Sequence, residues 1–161
     1  MPLIHRLVSF ILLAATAAAA QTANATLSAD LGAIAKLSLS TTSLSFPDAN
    51  PDTMPQVQAS SGAVTITAKG RARPGSTVTL TVQASDDLRS GVNTIPASAI
   101  SWTAAGPGFV PGTLSASAAQ VVGSWTGSGV RVGTQDYRFQ NLWTHPTGTY
   151  TVSLLYTLTS P

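Results

Sequence analysis

The sequence contains no cysteine and no glutamate, and only 9% of its residues are charged. The lack of cysteine excludes disulfides and thiol chemistry, so burial and backbone hydrogen bonds must stabilise the fold. The charged fraction is far below the roughly 25% of an average globular domain, so hydroxyl and amide side chains must cover much of the surface. No dense basic run and no nucleic-acid-binding motif occurs, and nucleic acid is therefore not expected as a partner.

Catalytic residue types are also scarce. Beyond the N-terminal segment there is a single histidine, His145, which could form a triad with Asp136 and a serine. However, His145 precedes Pro146 in a predicted exposed turn, and no serine lies in a G-x-S-x-G motif. Asp86 and Asp87 are adjacent, so they do not form the facing carboxylate pair of a glycosidase. We therefore expect a protein that is not an enzyme and needs no cofactor.

The N-terminal segment has the pattern of an export signal. Arg6 supplies the only full charge ahead of the apolar run Leu7–Ala15, which is too short to cross a bilayer. Ala18 and Ala20 place small residues at the two positions that a signal peptidase reads. Cleavage is therefore predicted between Ala20 and Gln21.

This interpretation divides the chain into a cleaved signal peptide, residues 1–20, and one domain, residues 21–161. No second apolar span follows, so no membrane-spanning segment is expected after cleavage. The mature protein is predicted to be secreted or held at the cell surface. It would pass through the periplasm where the cell envelope has two membranes.

Most of the remaining sequence alternates between apolar and polar residues. Examples are Val64–Ala68, Val78–Ala84 and Tyr150–Leu158, in which apolar or aromatic residues alternate with threonine, serine or glutamine. This period of two is typical of strands buried on one face, and Pro- and Gly-rich turn signals separate the runs. The pattern predicts an all-β, antiparallel two-layer sandwich of immunoglobulin-like size with about seven to nine strands. An up-and-down barrel is the alternative, and Gly106–Gly129 is expected to form long loops.

One loop has part of a calcium-binding pattern. Asp48, Asn50 and Asp52 have the spacing with which such loops begin. The rest is missing, because Thr53 stands where glycine is required and Ala59 where an acidic ligand is required. An Asx-rich turn accounts for the same residues by local hydrogen bonding, so no metal is predicted.

The three tryptophans, together with Tyr137, could provide a stacking platform for sugar rings. A domain this poor in aromatic residues is expected to bury most of them. Trp102 and Trp143 are therefore predicted to cap the core. Trp125 lies among glycines and serines and is the predicted surface contact residue.

The C-terminal segment carries the most specific pattern of the sequence. A strand is predicted there, with one face in the core. That face and the glycine before it comprise Gly148, Tyr150, Val152, Leu154, Tyr156 and Leu158.

This segment resembles the C-terminal signature of WxL-type bacterial cell-surface domains. In that signature a Tyr-Thr strand runs into a Trp-Thr-Leu triplet and closes with a proline. Tyr150–Thr151 corresponds to the opening, and Tyr156–Leu158 corresponds to the triplet with tyrosine in place of tryptophan. The resemblance implies non-covalent binding to a bacterial cell-wall polymer or to other surface proteins.

The segment is also similar to the last strand of chaperone–usher pilus subunits, including the spore-coat-U-like branch. That strand begins with a glycine fourteen residues from the C-terminus, where Gly148 stands here, although Ser160 replaces the usual penultimate aromatic residue. This second resemblance implies an incomplete sandwich that a neighbour's N-terminal strand completes, with Gln21–Leu31 as the donor. An ordinary last strand of a sandwich satisfies the same alternation.

The sequence therefore predicts a secreted, non-catalytic bacterial sandwich protein that binds at the cell surface or in the extracellular matrix. The alternative is a pilin-like structural subunit that self-assembles by donor-strand exchange.

Overall fold

A computed structural model describes residues 26–161. The predicted signal peptide and its cleavage site lie outside these residues. The chain divides into two units, Met1–Asp30 and Leu31–Pro161. The described part of the first unit, residues 26–30, is exposed and forms no strand. Within residues 26–161 no helix is long and apolar enough to cross a membrane.

The second unit is built from strands, with one short 3-10 helix at Ala97–Ala99. The strands are β1 (Ile34–Leu39), β2 (Gln56–Gln58), β3 (Val64–Arg71), β4 (Thr77–Ala84), β5 (Leu88–Ser90), β6 (Asn93–Ile95), β7 (Ile100–Ala105), β8 (Gly112–Thr113), β9 (Gln120–Thr126), β10 (Gly129–Gln140) and β11 (Leu154–Thr159).

Two antiparallel sheets pack against each other, as the alternation predicts. The larger sheet has the order β1-β3-β10-β7-β8, with β2 also paired to β10. The smaller sheet has the order β11-β4-β9, and β5 and β6 form a separate hairpin. The described residues contain eleven strands rather than the expected seven to nine, because β2, β5, β6 and β8 are only two or three residues long.

The core lies between the two sheets and is formed by the apolar half of each alternating run. In β4, Val78, Leu80, Val82 and Ala84 are all buried, while the threonines between them are at least partly exposed. The same pattern holds in β3. Burial of one face is therefore what selects the register of these strands.

The expectation of long loops over Gly106–Gly129 is wrong in part. This stretch contains β8 and the seven-residue strand β9. The pairing of β9 with β4 shifts by one residue between Leu80 and Thr81. Because of this irregularity and of Gly123, the sequence of β9 does not show a clear period of two.

Because the sheets are antiparallel, the sandwich has two distinct ends. We call the first the Arg71 end: β3 and β11 finish there, and β1 and β10 start there. Hydrogen bonds from Ser160 Oγ to the Arg71 carbonyl and from Arg73 N to the Pro161 carbonyl place the end of β11 at this position. We call the opposite end, which carries the loop around Asp52, the Asp52 end.

Candidate functional site

The sandwich is sealed along one side by a segment that bonds to both sheets. β8 pairs with β7 of the larger sheet. Just before β8, Val110 N donates to the Val122 carbonyl at 2.9 Å, and Ser124 N donates to the Gly108 carbonyl at 3.0 Å. The backbone ladder thus passes from β7 to β9 of the smaller sheet. We call this side the closed edge.

Trp125 lies inside the closed edge, so its prediction as an exposed contact residue is wrong. Its side chain is only 8% exposed, and its ring meets Phe109 edge-on with centroids 5.0 Å apart. The indole Nε1 donates to the Pro107 carbonyl at 2.8 Å. A Cβ atom at Gly123 would lie 2.6 Å from the ring, and one at Gly108 would overlap it. The glycines that indicated an exposed loop are in fact the space into which the tryptophan packs.

The other side of the sandwich is not sealed in this way. β1 is the last strand of the larger sheet, and β11 is the last strand of the smaller sheet. The two strands lie beside each other. Among residues 26–161, β1 pairs only with β3, and β11 pairs only with β4. We call this side the open edge.

Apolar side chains along the open edge are only partly buried. They pack against the core, yet each keeps some exposure, in contrast to the buried residues of β4. They comprise Leu37, Leu39, Leu44 and Phe46 after or within β1, and Tyr150, Val152, Leu154, Tyr156 and Leu158 in or before β11. These last five residues share one inward face that packs against the core, and each stays partly exposed because no further strand of the described residues covers them.

The C-terminal strand starts later than the sequence indicates. Gly148 lies in a bend, and β11 begins at Leu154. Thr151 instead forms an isolated bridge with Arg89 of β5. A Cβ atom at Gly148 would lie 2.9 Å from the Ser90 Cβ and closer still to its Oγ. The glycine is therefore required for packing against the β5–β6 hairpin rather than for starting the strand.

The edge of β11 has none of the features that usually prevent unwanted strand pairing. Natural edge strands are blunted by charges, prolines, bulges or very short length. β11 has six residues, Leu-Leu-Tyr-Thr-Leu-Thr, with no charge and no proline, and Leu155 on its outer face is 66% exposed. By contrast, β1 carries Lys36. An exposed strand edge is the structural element to which an extended segment adds in β-augmentation.

A buried polar cluster fixes β11 on the larger sheet. Tyr156 Oη donates to Gln135 Oε1 at 2.6 Å, and the hydroxyls of Tyr156 and Tyr137 are also hydrogen-bonded to each other. Burial raises the pKa of Tyr156 to about 12 and also raises the pKa of Tyr137, so both remain neutral donors. Gln135 is fully buried, and its Nε2 has no partner in the described residues. The Tyr156 hydroxyl therefore connects β11 to β10 through the core. These hydrogen bonds form in only one register of β11.

The residues considered for catalysis have structural contacts. His145 is partly buried rather than exposed, because its ring packs on Phe139 with centroids 5.5 Å apart. Loss of water lowers the pKa of His145. Asp136 accepts a hydrogen bond from Gln58 Nε2 at 2.8 Å. The described residues contain no group of three potential His, Cys, Asp or Glu metal ligands.

The loop with the partial calcium pattern forms the predicted Asx turn. Asn50 Oδ1 accepts the backbone N–H of Asp52 at 2.9 Å. Asp52 Oδ1 accepts the indole Nε1–H of Trp143 at 3.0 Å. Trp143 is 69% exposed, so its predicted place in the core is wrong, whereas Trp102 is buried as predicted.

A scan against protein-family models and a search of curated proteins find no match for this chain.

Proposed function

We propose that this protein is an exported bacterial structural subunit, without enzymatic activity, that assembles by inserting an extended segment of one copy into the open edge of another. The open edge of β11 carries the proposal, because it is an uncharged, unprotected strand edge that borders partly buried apolar side chains. β-Augmentation supplies main-chain hydrogen bonds from the added strand and pockets for its alternate side chains. This was the second of the two functions that the sequence predicts.

The segment before β1 has the properties of such an added strand. Leu27, Ala29 and Leu31 alternate with polar residues. Leu27 is 96% exposed and Leu31 is 69% exposed, although leucine is usually buried. Residues 26–33 form no strand in the structure. A row of exposed apolar residues at a period of two is suited to a half-buried strand position in another copy.

Export is part of the proposal and rests on the N-terminal sequence pattern. Polymer formation at high concentration inside the cell would be harmful for a chain with an unprotected strand edge. Assembly after export at the cell surface avoids that problem. The proposed partners are therefore copies of the same chain and the surface on which they assemble.

The test measures whether the donor segment stabilises a chain that lacks it. We expect the variant without Gln21–Asp30 to remain folded and monomeric. A synthetic Gln21–Leu31 peptide at about 100 times its Kd should stabilise this variant by about 2.7 kcal/mol. This stabilisation corresponds to an increase in Tm of about 8 °C. A peptide in which Leu27 and Leu31 are replaced by aspartate is the matched control and should give no shift. Equal melting curves with and without the native peptide would overturn the proposal and leave a self-contained surface binder as the better account.

A further inference from the structure

The positive charges of the sandwich are concentrated at the Arg71 end. Five of the eight lysines and arginines of the chain lie there, although they are far apart in the sequence. Antiparallel pairing brings together the start of β1, the end of β3 and the start of β10. The five residues are Lys36, Lys69, Arg71, Arg73 and Arg131.

These charges are not neutralised within the described part of the chain. Lys36 and Lys69 are directly opposite each other in the β1–β3 ladder, an arrangement that is destabilising for like charges. Over residues 26–161 the one ion pair is that of Arg89 with Asp86, at 2.6 Å, and it lies at the other end. The Arg71 end therefore presents to an acidic partner basic side chains that have no ion-pair partner in the described residues.

Negative charge is concentrated at the Asp52 end. Asp86 is neutralised by Arg89, and Asp87 Oδ1 accepts the backbone N–H of Ala97 at 2.9 Å. Asp48 and Asp52 are exposed and form no ion pair with the described residues. These two are the exposed carboxylates of this end that have no ion-pair partner in the described residues.

An exposed tryptophan is held beside these carboxylates. Trp143 has its Nε1–H bonded to Asp52, which leaves the faces of the indole ring open. Asn141 fixes the two loops to each other, because its Nδ2 donates to the Ala49 and Met54 carbonyls at 2.9 and 3.2 Å. An open indole face next to a carboxylate is a binding site for a guanidinium or ammonium group, by cation–π attraction and charge together.

We propose that the Arg71 end of one copy docks on the Asp52 end of the next, with arginine side chains of the first copy against Trp143, Asp52 and Asp48 of the second. This contact rests on the proposed assembly function and adds to it a second interface and a direction. Arg71 and Arg73 are exposed and lack carboxylate partners in the described residues, so they are the residues expected to reach the indole. Tryptophan and arginine are the residue types that most often dominate the energy of such contacts.

The direction of the chain independently favours the same arrangement. The polypeptide enters β1 at Ile34, which lies at the Arg71 end. β11 runs from the Asp52 end towards the Arg71 end. A segment that leaves the Arg71 end of one copy and enters the open edge of the next at its Asp52 end therefore runs antiparallel to β11. Antiparallel pairing is the more stable of the two ladder types.

The first experiment compares two charge reversals by sedimentation velocity of the full chain. Arg71→Glu should weaken self-association by about tenfold or more, because it places a carboxylate against Asp48 and Asp52. Arg138→Glu makes the same charge change on the outer face of the larger sheet but near the Asp52 end, where added negative charge should not weaken association. Raising the salt concentration from about 0.01 M to about 1 M should weaken the native contact, since the screening length falls from about 30 Å to about 3 Å.

A rescue experiment separates docking from a general effect of charge. Asp48→Arg alone should weaken association, and Asp48→Arg combined with Arg71→Glu in one chain should restore most of it. Trp143→Ala should also weaken association, while Leu142→Ala, the exposed neighbour, should not. Failure of the double variant to recover, or equal association of Arg71→Glu and Arg138→Glu, would overturn the docking proposal.

The two proposals fail in different ways. Neither charge reversal removes a side-chain contact of β11, so each variant that also lacks Gln21–Asp30 should still be stabilised by the donor peptide. Peptide stabilisation together with charge-insensitive assembly would refute the end-to-end contact alone. No peptide stabilisation would refute strand insertion, whatever the charge variants do.

Discussion

The two long sides of the sandwich differ in how their strand edges and apolar side chains are covered. At the closed edge, backbone hydrogen bonds pass from one sheet to the other, and the rings of Trp125 and Phe109 fill the space next to Gly108, Gly123 and Gly133. At the open edge, β1 and β11 lie side by side, and the apolar side chains between them are only partly buried. The closed edge gains its stability within one chain, whereas the open edge leaves partly exposed apolar surface and strand-edge backbone groups that no other strand of residues 26–161 covers.

The largest effect is expected at the closed edge. Trp125→Ala should lower the free energy of unfolding by about 3–5 kcal/mol, because it empties a packed site and leaves the Pro107 carbonyl unpaired. Urea unfolding followed by fluorescence or circular dichroism measures this. Trp143→Ala is the matched control and should change stability by less than about 0.5 kcal/mol, since this ring is mostly exposed. Similar losses in the two variants would contradict the described burial.

A leucine pair on one rung compares the interior strand with the edge strand directly. Leu80 of β4 is fully buried, and its register partner in β11 is Leu158, which is partly exposed. Leu80→Ala should cost about 3 kcal/mol and Leu158→Ala about 1 kcal/mol, because the smaller residue leaves a cavity only where the site is enclosed. If the open edge is filled by a donor peptide, the cost of Leu158→Ala should increase. An unchanged cost in the presence of bound peptide would show that the peptide does not cover this residue.

The smallest effect concerns the hydroxyl group that fixes β11. Tyr156→Phe should lower the free energy of unfolding by about 1 kcal/mol, because it leaves Gln135 Oε1 with one hydrogen bond fewer in a buried place. Tyr150→Phe is the control, since its hydroxyl donates to the Pro146 carbonyl at an exposed position. Denaturant unfolding should show a smaller loss for Tyr150→Phe than for Tyr156→Phe. The opposite order would mean that the buried cluster does not stabilise β11.

The strands with a clear period of two could be predicted from the sequence, because burial of one face imposes that period on β3, β4 and β11. The strand pairing at the closed edge could not be predicted in this way. This pairing depends on how Trp125 packs against Gly108, which lies on a different segment, and against Gly123 of its own strand. In the sequence alone, glycines near a tryptophan indicate a loop, because the contact of Trp125 with Gly108 is not visible there.

The concentration of positive charge at the Arg71 end could not be predicted from the sequence either. Lys36, the run Lys69–Arg73 and Arg131 do not form a basic cluster in the sequence, and only the register of β1, β3 and β10 brings them to one end. The exposure of Trp143 likewise depends on Asn141, which ties its loop to that of Asp52. Contacts of this kind are non-local, and local sequence patterns carry no information on them.

The position of the two terminal strands also determines how the sandwich would respond to a pulling force. β1 starts and β11 finishes at the Arg71 end, each as the outermost strand of its sheet. Tension between Ile34 and Thr159 would load both strands from the same end and peel each from its neighbour one hydrogen-bonded rung at a time, which requires little force. A strand inserted beside β11 and pulled along its length would instead load all of its rungs together in shear. The same domain would therefore be mechanically weak when isolated and resistant to tension within a filament.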